Sequence, residues 1–307
     1  MPELPEVQTT ASILHKLVIG LKITDVWTDY GGEYHLGKKQ IKDKKYFQSF
    51  RKNILGAKIT HTNRRGKNVL IYLDNKKIIA VHMKMTGHLL YGKYKKIGIK
   101  SVVWEAIEPE ALKDSFNQFI HLVFSLSDGK SLALSDMRKF AKVNLTEEES
   151  AGTIPDLAHL GPEPLEKNFD LNKFKERLML RPTKKIKQAL MDQEIIAGIG
   201  NIYSDEILFA SGVHPLSKTG AIPKEKFALI FKAMKLVLEK GIDFGGDSMS
   251  DYRNPYGERG EFQHHHKAYR KTDLVCERKG CGGIIERIVV GGRSAHFCPR
   301  HQKKYEI

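Results

Sequence analysis

The sequence is poor in cysteine. Its only three, Cys276, Cys281 and Cys298, all fall near the C-terminal end. An odd, clustered set excludes a disulfide framework and points to a metal. No run of about 18 apolar residues occurs, which excludes a membrane-spanning helix. The N-terminus lacks a basic stretch followed by an apolar one, which excludes a secretory signal and sets the expected location in the cytoplasm. There is no internal repeat, so a solenoid is excluded. Acidic residues are in deficit: 36 Asp and Glu against 51 Lys and Arg, a net charge of +15. That excess expects a polyanionic partner, and nucleic acid is the commonest. No basic helix carries a bulky apolar face, so a membrane surface is the weaker fit.

What is present divides into two halves, and 307 residues suffice for two cores. The chain opens MPELPEVQTT. Val7, Ala11, Leu14 and Val18 recur at helical spacing, and Gly20 stops the run. Pro5 suits a first helical turn and Glu6 suits the positive end of the helix dipole. Residues 2 and 3 are therefore expected to be held rather than frayed. Strand-like runs follow at 69–73, 77–83 and 119–136, with Asp128-Gly129 as a hairpin turn. Residues 92–117 read as a long loop or insertion, and 146–169 as a linker. From about residue 171 the pattern is helical. Residues 243–268 read as a mobile loop, ending in His264, His265 and His266.

The cysteine module has the spacing Cys276-x4-Cys281-x16-Cys298-x2-His301. Two short pairs flank a segment that reads as a β-hairpin with Gly291-Gly292 at its turn. A hairpin brings both pairs together, and thiolates with an imidazole suit one structural Zn²⁺. His296 and the 264–266 run compete with His301 for the fourth position. Arg293 stands beside the turn. In the helical half, Gly198 and Gly200 precede Asn201, and Arg181, Lys184, Lys185 and Lys187 lie upstream. This is either a phosphate site at a helix start, capped by Asn201, or an ordinary helical hairpin.

Taken in order, MPELPEV, RRGK (64–67), HMKMTG (82–87), DMRKF (136–140), LGPEPL (160–165), IKQALMDQ (186–193), GIGNIY (198–203) and the cysteine module span nearly the whole chain. In these motifs the chain resembles bacterial formamidopyrimidine-DNA glycosylases. The resemblance implies an α+β fold: an N-terminal catalytic β-sandwich flanked by helices (1–147) and a linker (148–170). A helix–two-turns–helix domain with a lesion-capping loop (171–268) and a zinc finger (269–307) would follow. DNA would lie in the cleft between domains.

It further implies that Met1 is removed and that Pro2 attacks the damaged nucleotide through its secondary α-amine. Glu3 would be the general acid/base. Lys67 would serve β-elimination and Arg293 δ-elimination. Met85, Arg138 and Phe140 would fill the gap left by the everted base, and Lys187, Asn201, His82 and His121 would contact DNA. Cys276, Cys281, Cys298 and His301 would hold zinc. The partner would be damaged double-stranded DNA, bound by a monomer with no small-molecule cofactor and no membrane. The chain departs from the family pattern at His301, in the wider first cysteine pair, at Phe119 (where a histidine is common) and in the length of 92–117. Two alternatives stay open: an endonuclease VIII type acting on oxidised pyrimidines, which Leu4 disfavours, and a non-catalytic zinc-finger DNA-binding protein.

Overall fold

The computed structural model describes residues 1–31, 35–98, 102–149 and 153–306. They form two compact units, Met1–Ala158 with Phe244–Glu261, and His159–Asp243 with Phe262–Ile307.

The first unit begins with helix α1 (Leu4–Val18), which carries proline in its first turn. Leu4, Val7, Ala11, Leu14 and Val18 are buried along one stripe, as their spacing expects. The chain continues through β1 (Ile23–Thr28), α2 (Lys44–Ile54), β2 (Ile59–Arg65), β3 (Asn68–Leu73), β4 (Lys77–His82) and β5 (His88–Ile97). Then come β6 (Val103–Glu108), β7 (Ile120–Leu126), β8 (Ser131–Ser135) and β9 (Lys142–Glu147). One sheet has the order β1-β7-β8-β5-β6 and the other β2-β3-β4-β9. All neighbours in both are antiparallel. A single core joins them: Val69, Ile71, Ile79 and Val81 from one sheet, Leu89, Leu122 and Leu134 from the other, and α1 and α2. This is the expected β-sandwich flanked by helices.

Two sequence expectations change. Residues 92–117 are not a loop. They contain the end of β5, strand β6 and 3-10 turns at Glu110–Lys113 and Ser115–Asn117. Residues 99–101 of this stretch lie outside the described residues. Lysines at 93, 95 and 96 hide the strand pair, because beyond Gly92 β5 pairs only with the edge strand β6 and its side chains there are mostly exposed. Of the pair's apolar residues, Tyr94, Trp104 and Ala106 pack against Leu90, Leu112 and Val123, while Ile97, Val103 and Ile107 are exposed. Of residues 243–268, read as a mobile loop and grouped with the helical half, 244–261 instead pack within the first unit. Tyr252, Arg253, Asp247 and Ser248 are buried there.

The second unit comprises α3 (Leu171–Met179), α4 (Ile186–Met191), α5 (Asn201–Ser211), α6 (Lys224–Asp243), and the hairpin β10 (Glu286–Val290) with β11 (Arg293–Phe297). Gly200, not Asn201, is the cap of α5; Asn201 is its first helical residue. No helix among the described residues is long and apolar enough to cross a membrane.

Candidate active site and zinc centre

Pro2 and Glu3 are both buried, at the N-terminal end of α1. Glu6 organises this end. Its Oε2 accepts from the Glu3 N–H at 2.7 Å, and its Oε1 from the Asp247 N–H at 2.7 Å. Its carbonyl accepts from the Tyr252 hydroxyl at 2.9 Å. Gly246 lies against it with φ of +86°, where a Cβ would fall 2.8 Å from Glu6 Cγ. Glycine is thus required both by conformation and by space. The sequence assigns Glu6 to the helix start. The fold adds that it ties the 244–261 segment to the N-terminus.

Met85, Arg138 and Phe140 stand on two turns, one joining β4 to β5 and one joining β8 to β9. The fully buried Asp136 binds these turns together. Its carboxylate accepts from the Thr86 hydroxyl, from Ala141 N at 2.7 Å and from the Tyr30 hydroxyl at 3.2 Å. Thr86 Oγ1 in turn accepts from Arg138 N at 3.1 Å. Buried polar groups satisfied in this way make rigid supports. What they support is apolar and in solvent: Met85 is 37% and Phe140 49% exposed. The Arg138 guanidinium lies 4.5 Å from the Phe140 ring centroid, a cation–π arrangement. Asp136 belongs to the DMRKF motif, but nothing in the sequence signals its partners, which are up to about a hundred residues away.

Lys67 is the second residue of the tight turn from β2 to β3 and is 6% exposed. It is near His82, which pairs with Asn68 across β3 and β4. Burial, then the charges of Lys84 and Lys67, push the His82 imidazole down to about 3. His82 is therefore neutral, and its Nδ1 accepts from the Lys84 N–H at 3.0 Å. His121 is held internally, with Nδ1 2.9 Å from the Asp29 carboxylate, which also pairs with Lys139.

In the second unit, the ligand atoms of Cys276, Cys281, Cys298 and His301 lie within 4.8 Å of one another. Cys281 Sγ is 3.6 Å from Cys298 Sγ, and His301 Nδ1 is 3.5 Å from Cys276 Sγ and 3.6 Å from Cys281 Sγ. Bonds of about 2.3 Å to a tetrahedral Zn²⁺ require edges of about 3.7 Å between sulfurs, so the set fits one ion. His301 Nε2 is 3.1 Å from the Phe209 carbonyl. Donation there leaves Nδ1 as the ligand nitrogen, the usual orienting contact of a metal-bound histidine. His296 does not compete, because its Nδ1 and backbone N–H both lie 2.9 Å from Asp205 Oδ2. The hairpin turns at Gly291-Gly292, and Arg293 beside it is exposed.

Lys187 is a correction. It is fully buried, with Nζ 2.6 Å from Asp205 Oδ1 and 3.1 Å from Ser204 Oγ. In this fold it neutralises Asp205 rather than facing a phosphate, because α4 turns Ile186, Lys187, Ala189 and Leu190 inward. Lys184 is likewise paired, with Asp192 at 2.6 Å. Arg181 and Lys185 are exposed. Asn201 keeps a buried Oδ1 without a hydrogen-bond partner. Glu206, which the sequence did not single out, is buried and accepts from the N–H groups of Lys267, Ala268 and Tyr269 at 2.8–3.0 Å. It fixes the chain leading into the finger.

Residues 1–143 match the formamidopyrimidine-DNA glycosylase N-terminal domain, 160–253 the formamidopyrimidine-DNA glycosylase H2TH domain, and 273–303 the zinc finger found in FPG and IleRS. The formamidopyrimidine-DNA glycosylase of Herpetosiphon aurantiacus is 36% identical, covering 97% of this chain and 98% of its own. That of Bacillus subtilis is also 36% identical, covering 99% and 100%. Among solved structures, a complex between the Lactococcus lactis Fpg and DNA containing an abasic site has a TM-score of 0.78 at 29% identity, covering 98% of this chain and 100% of that one. MutM in complex with DNA containing carbocyclic 8-oxo-G has a TM-score of 0.78 at 29% identity, covering 99% and 100%. With three domain models matched in order and relatives aligned end to end, the chain belongs to the formamidopyrimidine-DNA glycosylase family.

Proposed function

We propose that this protein is a bifunctional DNA glycosylase and abasic-site lyase of base excision repair, removing 8-oxoguanine and formamidopyrimidines from duplex DNA. The observation that carries this reading is the buried Pro2-Glu3 start of α1, organised by Glu6, in a chain whose relatives are named for that activity. Residues 1–147 act as the catalytic domain, 148–170 as linker, 171–268 as the DNA-binding helical domain and 269–307 as the finger. The capping residues 244–261 are an exception, since they pack with the first unit. The protein works as a monomer in the cytoplasm, on nucleoid DNA.

The chemistry follows from the amine. Removal of Met1 frees the Pro2 nitrogen. An α-amine has a pKa near 8, against about 10.4 for lysine, so more of it is unprotonated at neutral pH. Its attack on C1′ forms an N–C bond and expels the damaged base. Glu3 delivers a proton as the sugar ring opens. The resulting iminium has no N–H to lose, so it stays cationic and draws electrons from the C2′–H bond. Loss of that proton breaks the 3′ C–O bond, and a second elimination breaks the 5′ one. Lys67 and Arg293 serve these steps at the flanking phosphates. Eversion of the base costs a few kcal/mol, and Met85, Arg138 and Phe140 fill the space it leaves. Cys276, Cys281, Cys298 and His301 hold Zn²⁺, which cross-links the finger.

The test offers duplexes containing 8-oxoguanine opposite cytosine or thymine glycol opposite adenine. Faster cutting of the first is expected. Faster cutting of the second assigns the chain to oxidised pyrimidines, and no cutting of either leaves only a DNA-binding protein.

A further inference from the structure

The segment that resists the sequence reading, 109–117, lies directly against residues 252–257. Asp114 pairs with Arg253, its Oδ2 3.1 Å from Nη2 and 3.2 Å from Nε. Arg253 is 2% exposed, and its guanidinium lies 4.9 Å from the Phe116 ring centroid. Asn117 Nδ2 donates to the Gly257 carbonyl at 3.2 Å and to the Ala111 carbonyl at 2.9 Å. Gly257 has φ of +89°, and a Cβ there would fall 2.8 Å from the Ala111 carbonyl. From β5, Tyr91 N donates to the Pro255 carbonyl at 2.8 Å. A charged pair with one partner fully desolvated, an aromatic platform and two hydrogen bonds to backbone carbonyls converge on six residues. Chance contact of two surface loops does not bury an arginine.

The contacts continue inward. Asn117 Oδ1 is 3.0 Å from His88 Nε2, and His88 Nδ1 is 3.2 Å from the Thr86 carbonyl. Thr86 is the residue whose hydroxyl joins Asp136 to Arg138. Every side chain on this path, Asn117, His88, Thr86 and Asp136, is buried. One continuous set of buried polar contacts therefore runs from residue 257 to the turns bearing Met85, Arg138 and Phe140, with the neutral His88 ring donating its single N–H to either the Asn117 amide oxygen or the Thr86 carbonyl.

We propose that residues 109–117 are a dock that presets the lesion-capping segment, with Asp114 as a positioning residue for base excision. The inference rests on the reading of 244–262 as the segment that closes over the everted base. A capping segment fixed in advance loses less freedom on closing, and so spends less binding energy on ordering. The dock matters only when a base is present to be capped. An abasic site offers none, so strand cleavage there does not need it.

The experiment compares Asp114→Ala and Asp114→Asn with the full-length protein. Asp114→Asn keeps the acceptor for Phe116 N while removing the charge and the second acceptor that faces Arg253, which guards against a folding defect. Each is assayed on an 8-oxoguanine duplex and on a preformed abasic-site duplex, with hydrogen exchange followed over 250–258. Both variants are expected to lower single-turnover release of 8-oxoguanine, Asp114→Ala by about tenfold, with abasic-site cleavage within about twofold of wild type. Amides of 250–258 should exchange faster, with the sheets unchanged. Equal loss on both substrates, or faster exchange with unaltered base release, overturns the proposal. A wild-type protein that releases no 8-oxoguanine overturns the functional reading beneath it instead.

Discussion

In the first unit, Met85, Arg138 and Phe140 stand on turns tied by the Asp136 carboxylate, which folds together with two sheets and their common core. In the second, Arg293 stands on a two-stranded hairpin whose core is Phe209, Ala268, Ile285 and the three cysteines themselves. Both regions present a side chain from a tight turn. One does so with a network that its large core makes affordable, the other with ligands that only a metal can join. A hairpin alone is marginal in water, so the finger's rigidity is that of its zinc site and of the Asp205 and Glu206 contacts beside it. Asp205 shows the difference sharply. It receives His296 from the hairpin and Lys187 from α4, so a buried ion pair anchors what the finger's own core does not.

The largest effect separates the two regions outright. Stripping zinc with a chelator is expected to unfold the finger and weaken DNA binding at least about a hundredfold, because the finger's folding energy is its metal-binding energy. The urea transition of the first unit should be unmoved. If binding survives metal removal, the finger is held by its protein contacts and the contrast is lost. Asp136→Ala should act in the reverse sense. It leaves the Thr86 and Tyr30 hydroxyls and the Ala141 N–H without their acceptor, at a cost of about 3 kcal/mol in chemical denaturation, with zinc content unchanged.

Replacing the presented side chains comes next. Phe140→Ala is expected to leave stability within about 0.5 kcal/mol, since the ring is exposed, while slowing base release by about tenfold. Arg293→Ala should flatten the dependence of log K on log salt by about 0.9, the value of one phosphate contact. An unchanged slope removes Arg293 from the backbone.

Acid gives the smallest and most diagnostic difference. His82 is pushed down to about 3 by burial and by the Lys84 and Lys67 charges, and His88 to about 4 by burial. Between the ordinary histidine value of about 6.5 and these values, the unfolded chain binds protons that the folded first unit refuses. Stability of that unit should therefore fall as pH drops from about 6.5 to 4, and His82→Gln with His88→Gln should flatten the fall. The second unit should respond through proton competition for its zinc ligands, visible as metal release.

Much of this was legible in the sequence for definite reasons. Helix α1 shows because its buried stripe repeats at helical spacing, and β3 and β4 because their apolar runs are short and bounded. The zinc set shows because its ligands form two closely spaced pairs flanking one hairpin. What was hidden is long-range or edge-bound. Lys187 looks like a phosphate contact until Asp205, 18 residues on and itself held by His296, is brought to it. Asp136 stands in a visible motif, but its partners Thr86 and Tyr30 are 50 and 106 residues away. Strand β6 was read as a loop because lysines cover the edge that it extends. Glu6 was seen as a helix-start acid, yet its second partner, Asp247, is 241 residues distant.

The central claim is that the Pro2 nitrogen is the nucleophile. Borohydride reduction in the presence of abasic-site DNA, followed by digestion and mass spectrometry of the adduct, tests it directly. The expected result is a sugar remnant on the N-terminal nitrogen of a chain beginning at Pro2. An adduct on a lysine side chain, or an active protein that retains Met1, contradicts it.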